Sequence, residues 1–337
     1  KWGILSGVLV YWNMSFLPSK TLIIAEIGSN HDGDLDKAFR MIDIAAESGA
    51  DVAKFQGFLA DEMYDKSDSN YHLLKKLEVP LDWYPKLIER CNQQGVKFLS
   101  TATNFTTLQL MEELNVEWYK VASGNISHYP IIDKLIEINK PIIFSTGLSK
   151  LEEIIDLSSY LDYNECRDYS FLHCVSKYPV APDQMNLLNI SSLRHILNCP
   201  IGFSDHSMSE YFAIAAVALG AKIIEKHITI DRNGISPDHS FSMVSKDFKN
   251  MVDNIRLVER GMNVDFKPNL SSMKKFRRSL HYSRTIEFGH IIQPSDIMVI
   301  RPDDGLPPVT YKDIIGKKII RNVDANSPVA LTDFEEQ

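Results

Sequence analysis

Thr21-Leu22-Ile23-Ile24-Ala25 runs directly into Glu26-Ile27-Gly28-Ser29-Asn30-His31. The first part is a β-branched, apolar run of strand length, and the second is polar and chemically varied. A helix-like segment follows, with apolar residues at Ala38, Met41, Ile42 and Ala45, the spacing of one helix face. The same switch recurs along the chain. Apolar runs end in Lys54-Phe55-Gln56, Ser100-Thr101, Lys120-Val121-Ala122-Ser123, Ser145-Thr146-Gly147, Ser176-Lys177-Tyr178, Ser204-Asp205-His206 and Glu225-Lys226-His227. A strand buried on both faces is expected to stay apolar to its end, so eight polar ends predict one shared rim where all the strands stop.

Strand alternating with helix over about 250 residues predicts an α/β fold, a (β/α)8 TIM barrel. A doubly wound sheet is the alternative. It is disfavoured because no Gly-x-Gly-x-x-Gly turn follows the first strand and the polar ends are not confined to one switch point. Alternate side chains of a strand share a face. One parity then gathers Glu26, Gly28, Asn30, Lys54, Gln56, Thr101, Lys120, Ser145, Ser176, Tyr178, Ser204, His206, Glu225 and His227 at the mouth, a set hard to explain as packing.

The 337 residues exceed one barrel by enough for a small second domain, and 44% apolar residues suffice for a full core. Residues 1–20 read as an N-terminal extension, with 1–13 an upstream artefact, favoured over part of a signal-like stretch, and outside the fold; 21–262 as the barrel; 263–275 as a polar, irregular linker; and 276–337 as a compact, mostly β module. In that module Ser279–Tyr282, Glu287–His290 and Ile297–Ile300 are β-like pieces punctuated by turns. The formal charge of -8, with no basic cluster, argues against nucleic acid or an anionic membrane as partner. No span is long enough to cross a bilayer. Cys91, Cys166, Cys174 and Cys199 lack metal-type spacing and read as reduced thiols of a cytoplasmic protein; Cys174 is the one near the rim.

Ala25-Glu26-Ile27-Gly28-Ser29-Asn30-His31-Asp32-Gly33, Lys54-Phe55-Gln56, Tyr119-Lys120-Val121-Ala122-Ser123-Gly124, Ser145-Thr146-Gly147, Gly202-Phe203-Ser204-Asp205-His206 and Glu225-Lys226-His227 together resemble the sialic acid (N-acetylneuraminate) synthase family. The tail, with Arg278-Ser279-Leu280, Gly289, Arg301-Pro302 and Gly316, resembles the antifreeze-like SAF module that closes those enzymes. The resemblance implies metal-dependent condensation of phosphoenolpyruvate with an open-chain 2-acetamido sugar of the N-acetylmannosamine type, giving a nonulosonic acid and phosphate. Lys54, Thr101, Lys120, Ser123, Ser145, Ser176 and Ser204 would supply cations and hydroxyls to the phosphate and carboxylate. Alone, any one of them reads as a barrel salt bridge or a satisfied strand-end hydroxyl.

The resemblance also places manganese or magnesium on His206 and His227. Glu225 is then a neighbouring support or half of a buried ion pair. Glu26 and Asp238 would be the catalytic carboxylates, with Glu26 moving the proton; by sequence alone Asp238 is a turn residue after Pro237. Asn30-His31-Asp32-Gly33 is expected to cap the following helix and shape the site. Gln56, Asn125, Tyr178, Phe276 and Arg301 would contact the sugar, Arg301 across a domain-swapped homodimer.

Two positions depart from the family's commonest pattern. Asn125 stands where many members carry an acid, and Ser176 where an asparagine is common, so legionaminic, pseudaminic and spore-coat or capsule sugars stay open, phosphorylated or not. Competing functions are a metal-dependent pyruvate aldolase, a Schiff-base aldolase using Lys54 or Lys120, and an ice-binding tail on an inert barrel.

Overall fold

The computed structural model describes residues 2–5, 8–11, 17–262 and 270–335. The chain divides into two compact units, Lys1–Asn263 and Val264–Gln337. In the first, strands β1 (Leu22–Gly28), β2 (Val52–Phe55), β3 (Lys97–Ser100), β4 (Tyr119–Val121), β5 (Ile142–Ser145), β6 (Tyr169–Cys174), β7 (Ile201–Asp205) and β8 (Ile223–Thr229) form one parallel sheet. β8 pairs back onto β1, with His227 opposite Glu26. The ring is joined at β3 and β4 by the Thr101–Lys120 bridge and by the Ala102 N–H donating to the Lys120 carbonyl at 2.9 Å. The fold is therefore the (β/α)8 barrel, with a short β9 (Met243–Val244) added beside β8.

Side-chain parity organises the barrel. On β1, Leu22 and Ile24 point inward and Ile23, Ala25 and Ile27 point out to the helices. The inward row continues through the other strands as Val52, Leu99, Trp118, Ile143, Leu172 and Ile223, and Leu17 packs against this cluster. These side chains fill the lower half of the barrel. Two residues further along each strand the same parity delivers Glu26, Lys54, Thr101, Lys120, Ser145, Cys174 and Glu225, all buried. Each buried aliphatic contributes roughly 2 kcal/mol, and this apolar floor together with the outer layer offsets the desolvation of the polar rim.

The outer layer is built by amphipathic helices. α1 (Leu35–Glu47) buries Ala38, Met41, Ile42 and Ala45, the predicted face. Its N-cap is Asp34, whose carboxylate accepts from the Lys37 N–H at 3.0 Å. The expected cap at residues 30–33 is thus corrected: Asn30 instead donates to the Ile228 carbonyl and to Ser242 Oγ. The last barrel helix, Ser245–Gly261, buries Phe248, Met251, Val252 and Ile255. All four cysteines are free and buried. Among the described residues no helix is long and apolar enough to cross a membrane.

His31 is wholly buried, edge-on to Trp83 at 5.7 Å, and its Nδ1 accepts from the Gly33 N–H. Burial pushes its pKa down to about 4 from an ordinary 6.5. The folded value lies below the unfolded one, so this group removes stability as pH falls from 6.5 towards 4. Between pH 7 and pH 4.5 the expected loss is roughly 2 kcal/mol. Urea midpoints of the protein and of His31→Asn should converge by that amount on acidification; a constant gap would show that His31 titrates normally.

Residues 1–13, expected to stand outside the fold, include a hairpin of Trp2–Leu5 with Val8–Tyr11 that pairs with none of the other described strands. Of the expected linker, 263–269 lie outside the described residues, and Leu270–Phe276 is a 3₁₀ helix, not irregular chain. The second unit is built on a hairpin of Ser279–Tyr282 with Ile297–Ile300. Its core gathers Leu280, Tyr282, Ile286, Ile292, Ile314, Ile319 and Phe334. Glu287–His290, expected to be β-like, is a turn with Gly289 at φ +87°, lying between the Ile286–Val323 and Ile291–Lys318 bridges. Buried Asp333 ties the module together by accepting from Tyr282 OH, Arg321 Nε and the Ala330 N–H.

Candidate active site

The strand ends bring two ammonium groups and two carboxylates into one buried cluster. Lys54 Nζ lies 2.6 Å from Glu26 Oε2 and 3.6 Å from Glu225 Oε2. Lys120 Nζ lies 4.0 Å from the same Glu225 oxygen and donates to Ser145 Oγ at 2.6 Å. All four charged side chains are at most 6% exposed. Burial lifts the Glu26 carboxyl above its usual range against the pull of Lys54. For Glu225 burial acts the same way, but Lys120 and Lys54 outweigh it and hold the carboxyl low. Burial lowers the Lys120 pKa, with Glu225 opposing.

Around this cluster Thr101 Oγ1 is buried without a hydrogen-bond partner. Ser204 Oγ donates to Glu225 Oε1 at 2.8 Å, so this hydroxyl reaches the lysines through the carboxylate. Glu225 is thereby resolved as a buried ion-pair partner of both lysines. On the next loops, Ser123 Oγ accepts from the Gly147 N–H at 2.9 Å. A Cβ added at Gly147 would lie 2.4 Å from Ser176 Oγ, 2.9 Å from Cys174 Sγ and 3.1 Å from Ser123 Oγ. Only hydrogen fits there, which leaves those groups converging on one small space.

The histidines stand across the mouth. The rings of His206 and His227 are 5.5 Å apart, edge to face. His206 Nδ1 lies 2.9 Å from the Val175 carbonyl and so carries the proton, leaving Nε2 as the ligating atom. Burial acts to lower its pKa, but the contacts with Cys174 and the Val175 carbonyl outweigh that and raise it. His227 is held neutral, its pKa driven well down by burial and by the neighbouring His206 and Lys54. Its Nδ1 is buried with no hydrogen-bond partner, 3.5 Å from Asp238 Oδ2. A neutral His227, and a His206 ring that offers Nε2 once it gives up its second proton, suit a divalent metal. Among the described residues no group of three or more His, Cys, Asp or Glu could hold an ion, so these two imidazoles would not complete a coordination shell by themselves.

Gly28, at φ +56°, marks the third corner: a Cβ there would meet Gln56 Nε2, Glu26 Oε1 and Asp238 Oδ2 at 3.1, 3.2 and 3.3 Å. Gln56 Nε2 donates to Glu26 Oε1 at 3.1 Å. Tyr178 is half exposed and tilts over His206 at 4.3 Å. Asn125 donates to the Thr103 carbonyl at 3.2 Å and so ties two rim loops together. Phe276 and Arg301 belong to the second unit, where both are exposed.

Residues 41–266 match the NeuB family and residues 277–335 the SAF domain. The chain belongs to the NeuB family. It is 34% identical to the N,N'-diacetyllegionaminic acid synthase of Campylobacter jejuni, over 90% of this chain and 97% of that one. It is 31% identical to the human N-acetylneuraminate-9-phosphate synthase, over 91% and 90%. The crystal structure of N-acetylneuraminic acid synthetase from Leptospira borgpetersenii superposes with a TM-score of 0.73 at 30% identity, covering 82% of this chain and 95% of that one.

In this NeuB enzyme some site residues lay beyond strand-by-strand reading. Phe241 packs against His227 at 4.9 Å and Tyr178 at 5.3 Å, yet it sits on an irregular loop with no periodicity to betray it. Cys174, the cysteine expected near the rim, lies 3.8 Å from His206 Nδ1, in keeping with its inward parity on β6. Conversely, Asp205 and Lys226 end the same strands on outward parity and pair with each other at 2.8 Å.

Proposed function

We propose that this enzyme condenses phosphoenolpyruvate with an open-chain 2-acetamido sugar of the N-acetylmannosamine type, releasing a nonulosonic acid and phosphate. One observation carries the reading: two lysines, the partnerless Thr101 hydroxyl and the hydroxyls beside Gly147 meet at one end of the barrel, facing two imidazoles. Lys54, Lys120, Thr101, Ser123, Ser145 and Ser176 suit an anion bearing both phosphate and carboxylate, with Ser204 acting through Glu225. Gln56, Asn125, Tyr178 and Asp238 suit the sugar. A manganese or magnesium ion on His206 and His227 would supply Lewis-acid polarisation of the aldehyde oxygen.

The chain's own groups then account for the rest. The lysines hold the enol phosphate so that its methylene carbon forms the new bond to the aldehyde carbon, which leaves positive charge on the carbon bearing phosphate. Glu26, bonded to Gln56 and Lys54, takes a proton from the water that adds there, the former aldehyde oxygen takes up a proton to become the new hydroxyl, and the second water proton goes to the departing phosphate as the carbonyl forms. Phosphate leaves by C–O cleavage and the ketoacid remains. The reading includes a domain-swapped homodimer in which Arg301 and Phe276 act on the sugar. Which sugar is used separates relatives that make legionaminic acid from those that make N-acetylneuraminate 9-phosphate, so a panel decides it.

The purified chain is to be given phosphoenolpyruvate, manganese and a series of 2-acetamido and 2,4-diacetamido hexoses, free and phosphorylated, in ¹⁸O-enriched water. Expected are one phosphate per nonulosonic acid, label in the ketoacid and none in phosphate, and a fall in rate of about 100-fold or more with EDTA that manganese reverses. Product formed from pyruvate alone, or label in the phosphate, overturns the proposal.

A further inference from the structure

Asp238 has no strand to hold it. It lies on the loop after β8, in a short 3₁₀ turn, Pro237–Ser240, yet its carboxylate is placed within 3.5 Å of His227 Nδ1. The loop is held from the other side of the β8–β1 seam. Asp32, in the loop after β1, accepts the Ile235 and Ser236 N–H groups on Oδ1 at 3.0 and 2.8 Å. Both of its oxygens lie 3.1 Å from His239 Nε2, and His239 Nδ1 lies 2.7 Å from Thr229 Oγ1 at the end of β8. Asp32 adopts φ +53° to do this, a left-handed conformation that Asp tolerates better than most residues.

Two further bonds point the same way. Ser29 Oγ meets Ser236 Oγ at 2.8 Å, and Asn30 donates to Ser242 Oγ, which itself donates to the Asp238 carbonyl at 2.6 Å. Gly234 lets the loop double back: a Cβ there would lie 2.1 Å from the His239 ring and 2.7 Å from Asp32 Oδ2. The His239 side chain is 2% exposed and that of Asp32 12%. So many bonds between two loops, buried and away from the lysines, are more than a turn needs to close.

We propose that Asp32 and His239 are positioning residues that clasp the β8 loop to the β1 loop and so fix Asp238 against His227 and Gln56. The idea rests on the proposed function for what Asp238 acts upon. The clasp acts on one side of the mouth only, because the lysines and Ser145 are carried by β2, β4 and β5. In the manganese-loaded enzyme, Asp32→Ala is expected to lower kcat about 100-fold, the scale of a misplaced reacting group, with KM for phosphoenolpyruvate within about threefold. Asp32→Asn keeps an acceptor for the two N–H groups and should recover to within about tenfold of the wild type. Lys37→Met, which removes the other Asp32 partner, should act like the wild type.

Amide exchange reads the clasp without any substrate: in Asp32→Ala the Ile235 and Ser236 amides should exchange about tenfold faster or more while the barrel strands keep their protection. Unchanged exchange at those amides sinks the proposal. So does loss of kcat and phosphoenolpyruvate affinity in equal measure with loss of strand protection, the mark of a general folding role. Should the wild type turn over no phosphoenolpyruvate with any sugar, the proposed function fails, and exchange at Ile235 and Ser236 still decides the clasp.

Discussion

Replacing Lys54 by methionine is expected to lower stability by about 3–5 kcal/mol at neutral pH and to lower kcat/KM by at least about 100-fold. The Lys54 ammonium is 2.6 Å from Glu26 and 3.6 Å from Glu225, and both carboxylates are almost entirely shielded from water. Removing it leaves Glu26 with Gln56 alone and Glu225 with the Ser204 hydroxyl and Lys120 at 4.0 Å. Breaking a buried pair from one side strands the other charge, which is why the loss exceeds that of any surface ion pair. The stranded Glu26 carboxyl, already raised by burial, rises further, so the penalty shrinks as the pH falls and the carboxyl takes up its proton. The double variant Lys54→Met/Glu26→Gln should recover stability and no activity. Urea denaturation alongside turnover separates the two effects; a single variant as stable as the parent would show that the pair is not coupled as its geometry requires.

The second large effect is expected from one methyl group. In Gly147→Ala the new Cβ would sit 2.4 Å from Ser176 Oγ and 2.9 Å from Cys174 Sγ, closer than real contacts, so Ser176 must swing away. Gly147 is half-buried on the loop after β5, and the atoms an added Cβ would meet are side-chain ends, so the stability change should stay within about 1 kcal/mol. The enzyme is expected to fold normally while KM for phosphoenolpyruvate rises about 100-fold and the sugar KM moves little. Adding Ser176→Gly should return part of the lost affinity, because it removes the atom the methyl group strikes. An unchanged phosphoenolpyruvate KM in Gly147→Ala would remove Ser123 and Ser176 from the anion site.

Parity explains what could be read directly from the residues. Leu22, Ile24, Glu26 and Gly28 lie on one line, apolar below and polar above, and the same two-residue step sets Val52 under Lys54 and Trp118 under Lys120. That rule also separated Asp205 and Lys226, which face outward, from Ser204, Glu225 and the histidines on the same strands. Where the backbone leaves the strand the rule stops. Phe241 and the contacts of Asp238 depend on how the β8 loop folds back, and the helix cap fell on Asp34 because Asp32 is occupied with that loop. The tail module was legible as short β pieces, but the Glu287–His290 turn and the Leu270–Phe276 3₁₀ helix follow from tertiary contacts that no local periodicity announces.

The apolar floor of Leu22, Ile24, Val52, Leu99, Trp118, Ile143, Leu172 and Ile223 makes the barrel a blind-ended vessel. Among the described residues this floor closes one end, so on the proposed reading reactants and products pass the other, where Tyr178 is still half exposed. Whatever seats on Lys54 and Lys120, just above that floor, therefore goes in ahead of its co-reactant and comes out behind it, and the order of traffic is set by depth.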